Sequence, residues 1–423
     1  MVILLLAMIV KDTVPVGDPN LLRFVVQALC LFIGTGWILV NLSGSLISKY
    51  WPVFGYILIS LISGLMSERM EYALMQTASL AAVLFFAIAY FESQRYKPGD
   101  SAALYFTTVV FAYIIVCIVS ILLIKFGHSI VYGRVGDWFD PRVGSRFRGL
   151  FSSAGMMAAA SGLLIGFLLF NKYKWWWRLP AMASGLACLA LTQSRTFWVA
   201  TFVAAVITWW FFKPNSKKFL VAFSFGIAVM GISSMVLDVS INAKEVKKAA
   251  RIDSVENLTG RVPLWEKAME RISKKPLVGY GSAVGSTALH DSSNLISKQN
   301  NRDDRSVGHE TLHNGYLQTV LDLGIIGLLF YVMIFYVALS RVYRRGRSAT
   351  NGAIFYGLLF MAVGNLGESI IFSAAVSHSV VFWFVATLAL HRFAAVETSE
   401  NLDPVMTYKN NNVDVINKLY LQR

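Results

Sequence analysis

The chain has 423 residues, 56% of them hydrophobic and only 15% charged, a composition outside the range of soluble domains. Its net charge of +14 would suit nucleic acid, but the cations sit mostly in short loops between apolar blocks. There they act as topology signals, and no nucleic-acid partner is expected. The blocks are each about one bilayer thick, roughly 20 residues, without the short alternating strands of a β-barrel. The chain therefore reads as an all-α polytopic membrane protein.

Residues 1–10 are apolar, lack the basic start and cleavage site of a signal peptide, and read as a short first span or a partial one. Spans follow at 23–40, 51–66, 72–91 and 102–124. Between the first two lie Ser48, Lys49, Tyr50 and Trp51, a cation among interfacial aromatics. Residues 126–149 form a polar loop carrying Arg134, Arg142, Arg146 and Arg148, read either as solvated cations or as phosphate binders. The span 150–170 returns to Lys172, Lys174, Trp175, Trp176, Trp177 and Arg178, an interfacial belt. Spans 179–191 and 196–212 enclose the turn Thr192-Gln193-Ser194-Arg195, and 219–237 leads into the longest polar segment. After it, 315–340 returns to Arg341, Arg344, Arg345 and Arg347, and a last pair spans 353–365 and 370–390.

Domain boundaries follow: membrane helices over 1–237, a loop with an amphipathic helix over 238–312, membrane helices over 313–391 and a cytoplasmic tail over 392–423. The strongly basic short loops share one face, cytoplasmic by the positive-inside rule, while both long polar segments and the 192–195 turn share the other. One outward-facing site is expected. Cys30, Cys117 and Cys188 lie in apolar runs and read as packing residues.

Inside the long polar segment, residues 258–272 read as an amphipathic helix. Thr259 or Gly260 caps it, Arg261 stands at its start, Pro263 suits the first turn, and Trp265, Met269 and Ile272 form the apolar stripe. The glycines at 279, 281 and 285 follow no strand and precede no P-loop lysine, which excludes a nucleotide fold. A plain turn or a backbone cradle for a ligand remain.

His309, Glu310 and His313 match the pattern HExxH, which on a helix would put two imidazoles on one face with the glutamate as base. The rival function is thus an intramembrane zinc protease. Its third ligand is not evident: His290, Asp291, Asp303 and Asp304 are near only in sequence, and Asp322 lies more than two turns along the next helix. Otherwise His313, at a helix entrance among polar neighbours, either caps the helix or accepts a proton from a hydroxyl. Arg195 either snorkels or serves a ligand, and Glu368, near the same face, neutralises an arginine.

Four passages resemble the bacterial O-antigen ligase and polysaccharide polymerase superfamily: 146–151; 191–198 around Ser194-Arg195-Thr196; Thr259-Gly260-Arg261 through Trp265 to Gly279-Tyr280-Gly281; and His313-Asn314-Gly315-Tyr316-Leu317-Gln318 with Leu323-Gly324. The resemblance implies about 12 transmembrane helices of GT-C-like fold, a large periplasmic loop, and a place in the bacterial inner membrane with the active site facing the periplasm. It implies transfer of a saccharide from undecaprenyl diphosphate to an acceptor hydroxyl, with neither cofactor nor metal. Carried onto matching positions, His313 would be the general base. Arg195 and Arg261, with Arg148, would bind the diphosphate, and Asn314, Tyr316 and Glu310 would support them. The acceptor would be a second lipid-linked repeat in a polymerase of O-antigen or exopolysaccharide, or lipid A core in a ligase. The wording at 194–196 and 313–317 looks more like the exopolysaccharide polymerases, for which a chain-length regulator would be a partner.

Overall fold

A computed structural model describes residues 19–94, 98–126, 147–171, 173–212, 261–285, 312–369 and 376–391, together with positions 4, 7, 8, 12 and 289. The span expected at 219–237, the arginines 134, 142 and 146, His309, Glu310 and the tail from 392 lie outside the described residues.

The described elements are helices: α1 (Pro19–Asn41), α2 (Gly44–Leu65), α3 (Met70–Ser93), α4 (Pro98–Phe126), α5 (Ala154–Phe170), α6 (Trp175–Leu191), α7 (Arg195–Phe212), α8 (Arg261–Lys274), α9 (Gly315–Arg344), α10 (Ala349–Gly364) and α11 (Ser377–His391). Six of them are long and apolar enough to cross a membrane, and α5, α10 and α11 are shorter apolar helices. The protein is an all-helical polytopic membrane protein. Two starts differ from the sequence reading. Trp175, Trp176 and Trp177 form the first turn of α6 rather than a loop before it. Residues 150–153 form a turn that ends on the cap Ser153, whose side chain accepts from Met156 N, so α5 begins at Ala154.

Apart from α8, the described helices run between two ends. At the basic end, Glu92 Oε1 gathers Lys49 Nζ at 2.6 Å, the Tyr50 hydroxyl at 2.7 Å and His391 Nδ1 at 2.9 Å. Arg341 donates to the carbonyls of Lys49 and Leu390, tying α2, α3, α9 and α11 together. Buried charge is tolerated there because each group meets an opposite charge or a carbonyl. In the middle, the rings of Tyr56 and Tyr331 lie 5.8 Å apart and those of Tyr56 and Trp383 5.7 Å apart.

Helices in a bilayer gain little from apolar burial alone and associate through close packing. Gly162 and Gly166 on α5 form such a contact. A Cβ at either would overlap the rings of α10, Phe360 at the first and Tyr356 at the second, and the Tyr356 hydroxyl donates to the Gly162 carbonyl at 2.8 Å. Side chains there would push α10 off α5, and α10 carries the site turn at its far end. Gly166→Leu is expected to destabilise the protein by at least about 1–3 kcal/mol, the usual cost of overpacking, seen as a lower melting temperature in detergent. An unchanged melt would show that this contact does not hold the helices.

The other end holds the feature that positions the site. Helix α9 is broken at Gly324, whose φ is +69°, a left-handed conformation that disfavours side chains. The break leaves carbonyls and N–H groups without helical partners, and the segment after α8 takes them up. Tyr280 N donates to Leu321 O at 3.1 Å and Gly281 N to Asp322 O at 2.8 Å, while Ile325 N donates to Pro276 O at 2.8 Å. A Cβ on Gly324 would overlap the Leu277 carbonyl. The Ser63 hydroxyl of α2 reaches the Asp322 carbonyl at 2.9 Å.

Candidate active site

Helix α8 lies across this end, and its apolar face differs from the expected stripe. Leu264, Trp265, Ala268 and Ile272 pack with Tyr280, Leu312, Leu317 and Leu321, whereas Met269 is 58% exposed. The ridge at spacing 264–268–272 faces α9, and Met269, one residue round, turns outward. On the exposed face Glu270 pairs with Lys274 at 2.7 Å, which holds its carboxyl below the usual range.

The roll of α8 fixes residue 312. Trp265 Nε1 donates to the Leu312 carbonyl at 2.7 Å, and Leu312 N donates to Gln318 Oε1 at 3.2 Å. Asn314 caps α9, its side chain accepting from Tyr316 N and Leu317 N. His313, held between these two, adopts φ +50°. A left-handed conformation costs a non-glycine residue roughly 1–2 kcal/mol, and it turns the imidazole away from the helix. His313 is thus outside α9. The requirement that HExxH form one continuous helical face is not met at its last residue.

The imidazole meets the turn between α10 and α11. His313 Nδ1 lies 2.8 Å from Glu368 Oε2, and Arg261, the first residue of α8, donates from Nη2 to Glu368 Oε1 at 3.2 Å and from Nη1 to the Gly367 carbonyl at 2.9 Å. A carboxylate only accepts, so the proton of a neutral His313 sits on Nδ1 and the lone pair on Nε2. The histidine is 44% exposed, Arg261 and Glu368 25% each. An ion pair this open to solvent is worth at most about 1 kcal/mol.

The turn is itself anchored. Gly315 N donates to the Asn365 carbonyl at 2.8 Å, the Asn365 side chain donates to the Tyr331 hydroxyl, and the Tyr316 hydroxyl donates to Ala362 O at 2.9 Å. Tyr316 is accordingly turned into the bundle. Arg195 begins α7 two residues after Gln193, which has φ +50°. A Cβ at Gly367 would come within 2.6 Å of Thr196 Oγ1, so the first turn of α7 lies on the Glu368 turn. Arg148 stands in the turn before α5, its carbonyl accepting from Phe151 N at 3.1 Å, and Leu150 N beside it donates to Ser120 Oγ at 3.0 Å.

Direct hydrogen bonds therefore join Arg261, Glu368 and His313, and packing brings the start of α7 to them; none of these contacts includes Arg148. Sequence reasoning paired Glu368 with an arginine but missed its bond to the histidine. The signal was a carboxylate at the end of an apolar helix, on the face of His313. The glycine passage is a turn rather than a ligand cradle: the N–H groups of Tyr280 and Gly281 are spent on α9, and Gly285 N donates to Asp322 Oδ1 at 2.8 Å. Asp322, 3% exposed, also accepts from Gln318 Nε2 at 3.1 Å, so it braces the loop.

Residues 180–332 match the family model described as O-antigen ligase. A stretch of 249 residues, 54% of this chain and 54% of the relative, is 26% identical to the exopolysaccharide production protein ExoQ of Rhizobium meliloti. Another of 154 residues, 34% of this chain and 38% of the relative, is 25% identical to an uncharacterized protein of Haemophilus influenzae. The chain thus spans about half or less of the length of these curated relatives. Arg195, Arg261 and His313 fall inside the matched segment, and Arg148 and Glu368 outside it.

Asp322→Ala would leave the buried Gly285 N–H without its acceptor, at a cost of about 1–3 kcal/mol. Asp322→Asn keeps an acceptor oxygen and is expected to cost less. Thermal melts of the two variants check this, and equal losses would contradict the bracing role.

Proposed function

We propose, from the match of residues 180–332 to the O-antigen ligase family model and the likeness to an exopolysaccharide production protein, that the chain is a member of the O-antigen ligase and polysaccharide polymerase superfamily, a metal-independent glycosyltransferase that takes a saccharide from undecaprenyl diphosphate to an acceptor hydroxyl. The observation that carries this reading is the 2.8 Å contact of His313 Nδ1 with Glu368, which leaves Nε2 as a base beside an arginine bound to the same carboxylate.

The acceptor oxygen forms a bond to the anomeric carbon as the bond from that carbon to the diphosphate breaks, its electron pair passing to the diphosphate. The hydroxyl proton goes to His313 Nε2, and Nδ1–H···Glu368 holds the ring and stabilises the imidazolium. Charge growing on the leaving diphosphate meets Arg261 and Arg195, to which Arg148 is added on the resemblance alone, cations whose planar forks match phosphate oxygens. Asn314 supports the base by fixing the start of α9, and Tyr316 by locking that start to α10. Glu310 belongs to the same proposal on sequence grounds alone.

The likeness to an exopolysaccharide production protein favours polymerisation onto a second lipid-linked repeat over ligation to lipid A core. The protein then works in the bacterial inner membrane, its site facing the periplasm and the basic end the cytoplasm, with a chain-length regulator as a partner.

Transfer by the purified protein in liposomes, with an undecaprenyl diphosphate-linked repeat, should survive EDTA. It should fall about 10²–10⁴-fold in His313→Ala, the range for loss of a general base. Arg261→Ala and Arg195→Ala should each lose roughly 10²-fold, with lysine restoring only part. Wild-type rates in His313→Ala would sink the mechanism, and growth only when lipid A core is supplied would make the enzyme a ligase.

A further inference from the structure

Glu368 has two loads. Its Oε1 holds Arg261 Nη2 at 3.2 Å and its Oε2 holds His313 Nδ1 at 2.8 Å. Building on the proposed diphosphate site, we infer that Glu368 is a positioning residue that stands in for the diphosphate at Arg261 in the resting enzyme and is released to His313 alone when the diphosphate arrives. Base and leaving group are thereby coupled through one carboxylate.

The geometry favours the exchange in that direction. The arginine contact is single and the longer of the two, and both partners are a quarter exposed, so an incoming anion can reach it. Phosphate oxygens can take the guanidinium as a fork, where Glu368 takes one N–H. Arg261 keeps its place during the swap because Nη1 stays on the Gly367 carbonyl at 2.9 Å. Glu368 keeps its place because its backbone N–H is bonded to Gly364 O at 3.0 Å, which leaves only the side chain to shift. A carboxylate relieved of the arginine places its full charge against the imidazolium that forms as the hydroxyl proton reaches Nε2. Without substrate that charge is divided, and the base is less prepared.

The test uses the full-length protein as wild type, Glu368→Gln, Glu368→Asp and the double variant Glu368→Gln with Arg261→Ala. Binding is titrated with farnesyl diphosphate and, for comparison, farnesol; glycan transfer is measured alongside. Glu368→Gln is expected to bind farnesyl diphosphate several-fold more tightly than wild type while kcat falls about 10²-fold, within the range for a mispositioned base. The tightening should vanish in the double variant, farnesol should distinguish none of them, and Glu368→Asp should recover part of kcat. A merely structural prop for Arg261 would instead weaken diphosphate binding in Glu368→Gln. That result, an unchanged affinity or an unchanged kcat overturns the inference. Wild-type protein that binds farnesyl diphosphate no better than farnesol removes the diphosphate site itself, and the inference with it.

Discussion

Everything at the site end depends on how the break in α9 is repaired. Inside a bilayer no water is present to satisfy a free backbone group, and each one left unpaired costs several kcal/mol. The residues flanking Gly324 hand their carbonyls and N–H groups to Pro276, Tyr280 and Gly281, so the segment after α8 is held as firmly as a helix turn. That anchor fixes one end of α8. Trp265 on the Leu312 carbonyl fixes its middle, and Arg261 on the Gly367 carbonyl fixes its start. A helix that would otherwise lie loosely on the membrane surface becomes a strap across the bundle, and the strain at His313 is supported by the groups on either side of it.

A cation, a carboxylate and an imidazole meet at both ends of the molecule with opposite results. At the basic end, Lys49, Glu92 and His391 form a closed group, with Glu92 11% and His391 5% exposed. Each charge there is committed, and removing one would strand the others, so the group acts as a clamp. At the site end, Arg261, Glu368 and His313 repeat the cation, carboxylate and imidazole, but His313 is 44% exposed. Open to solvent, the pairs are weak and can be exchanged for a ligand. Exposure distinguishes the two groups, and a list of residue types would not.

That distinction marks the limit of what the sequence shows. The spans are legible because a bilayer demands long apolar runs, and the turn at Arg195 and the entrance at His313 stand out as polar residues where such runs end. The face of α8 is less legible. Both Met269 and Ala268 satisfy a helical period, and only the docking of 276–281 into α9 decides that Ala268 is buried. The role of the glycine passage was hidden for the same reason: its partner is a break in another helix, about 40 residues on. Glu368 is 55 positions from His313 and 107 from Arg261, a separation over which periodicity carries no information.

The turn after α10 also explains why this end of the bundle suits an anion before any side chain is counted. The starts of α7, α8 and α9 meet there through Thr196 on Gly367, Arg261 on Gly367 and Gly315 on Asn365. A helix start carries roughly half a positive charge, so three starts against the finishes of α10 and of α6, which ends at Leu191 just before α7, still leave a positive balance at the turn. Arg261 and Arg195, each the first residue of its helix, add full charges where that field already points. Repulsion among so many positive groups would open the turn, and Glu368 is the internal anion that holds them together. A diphosphate brings more charge than one carboxylate, so it can satisfy the same field and leave Glu368 over for the histidine.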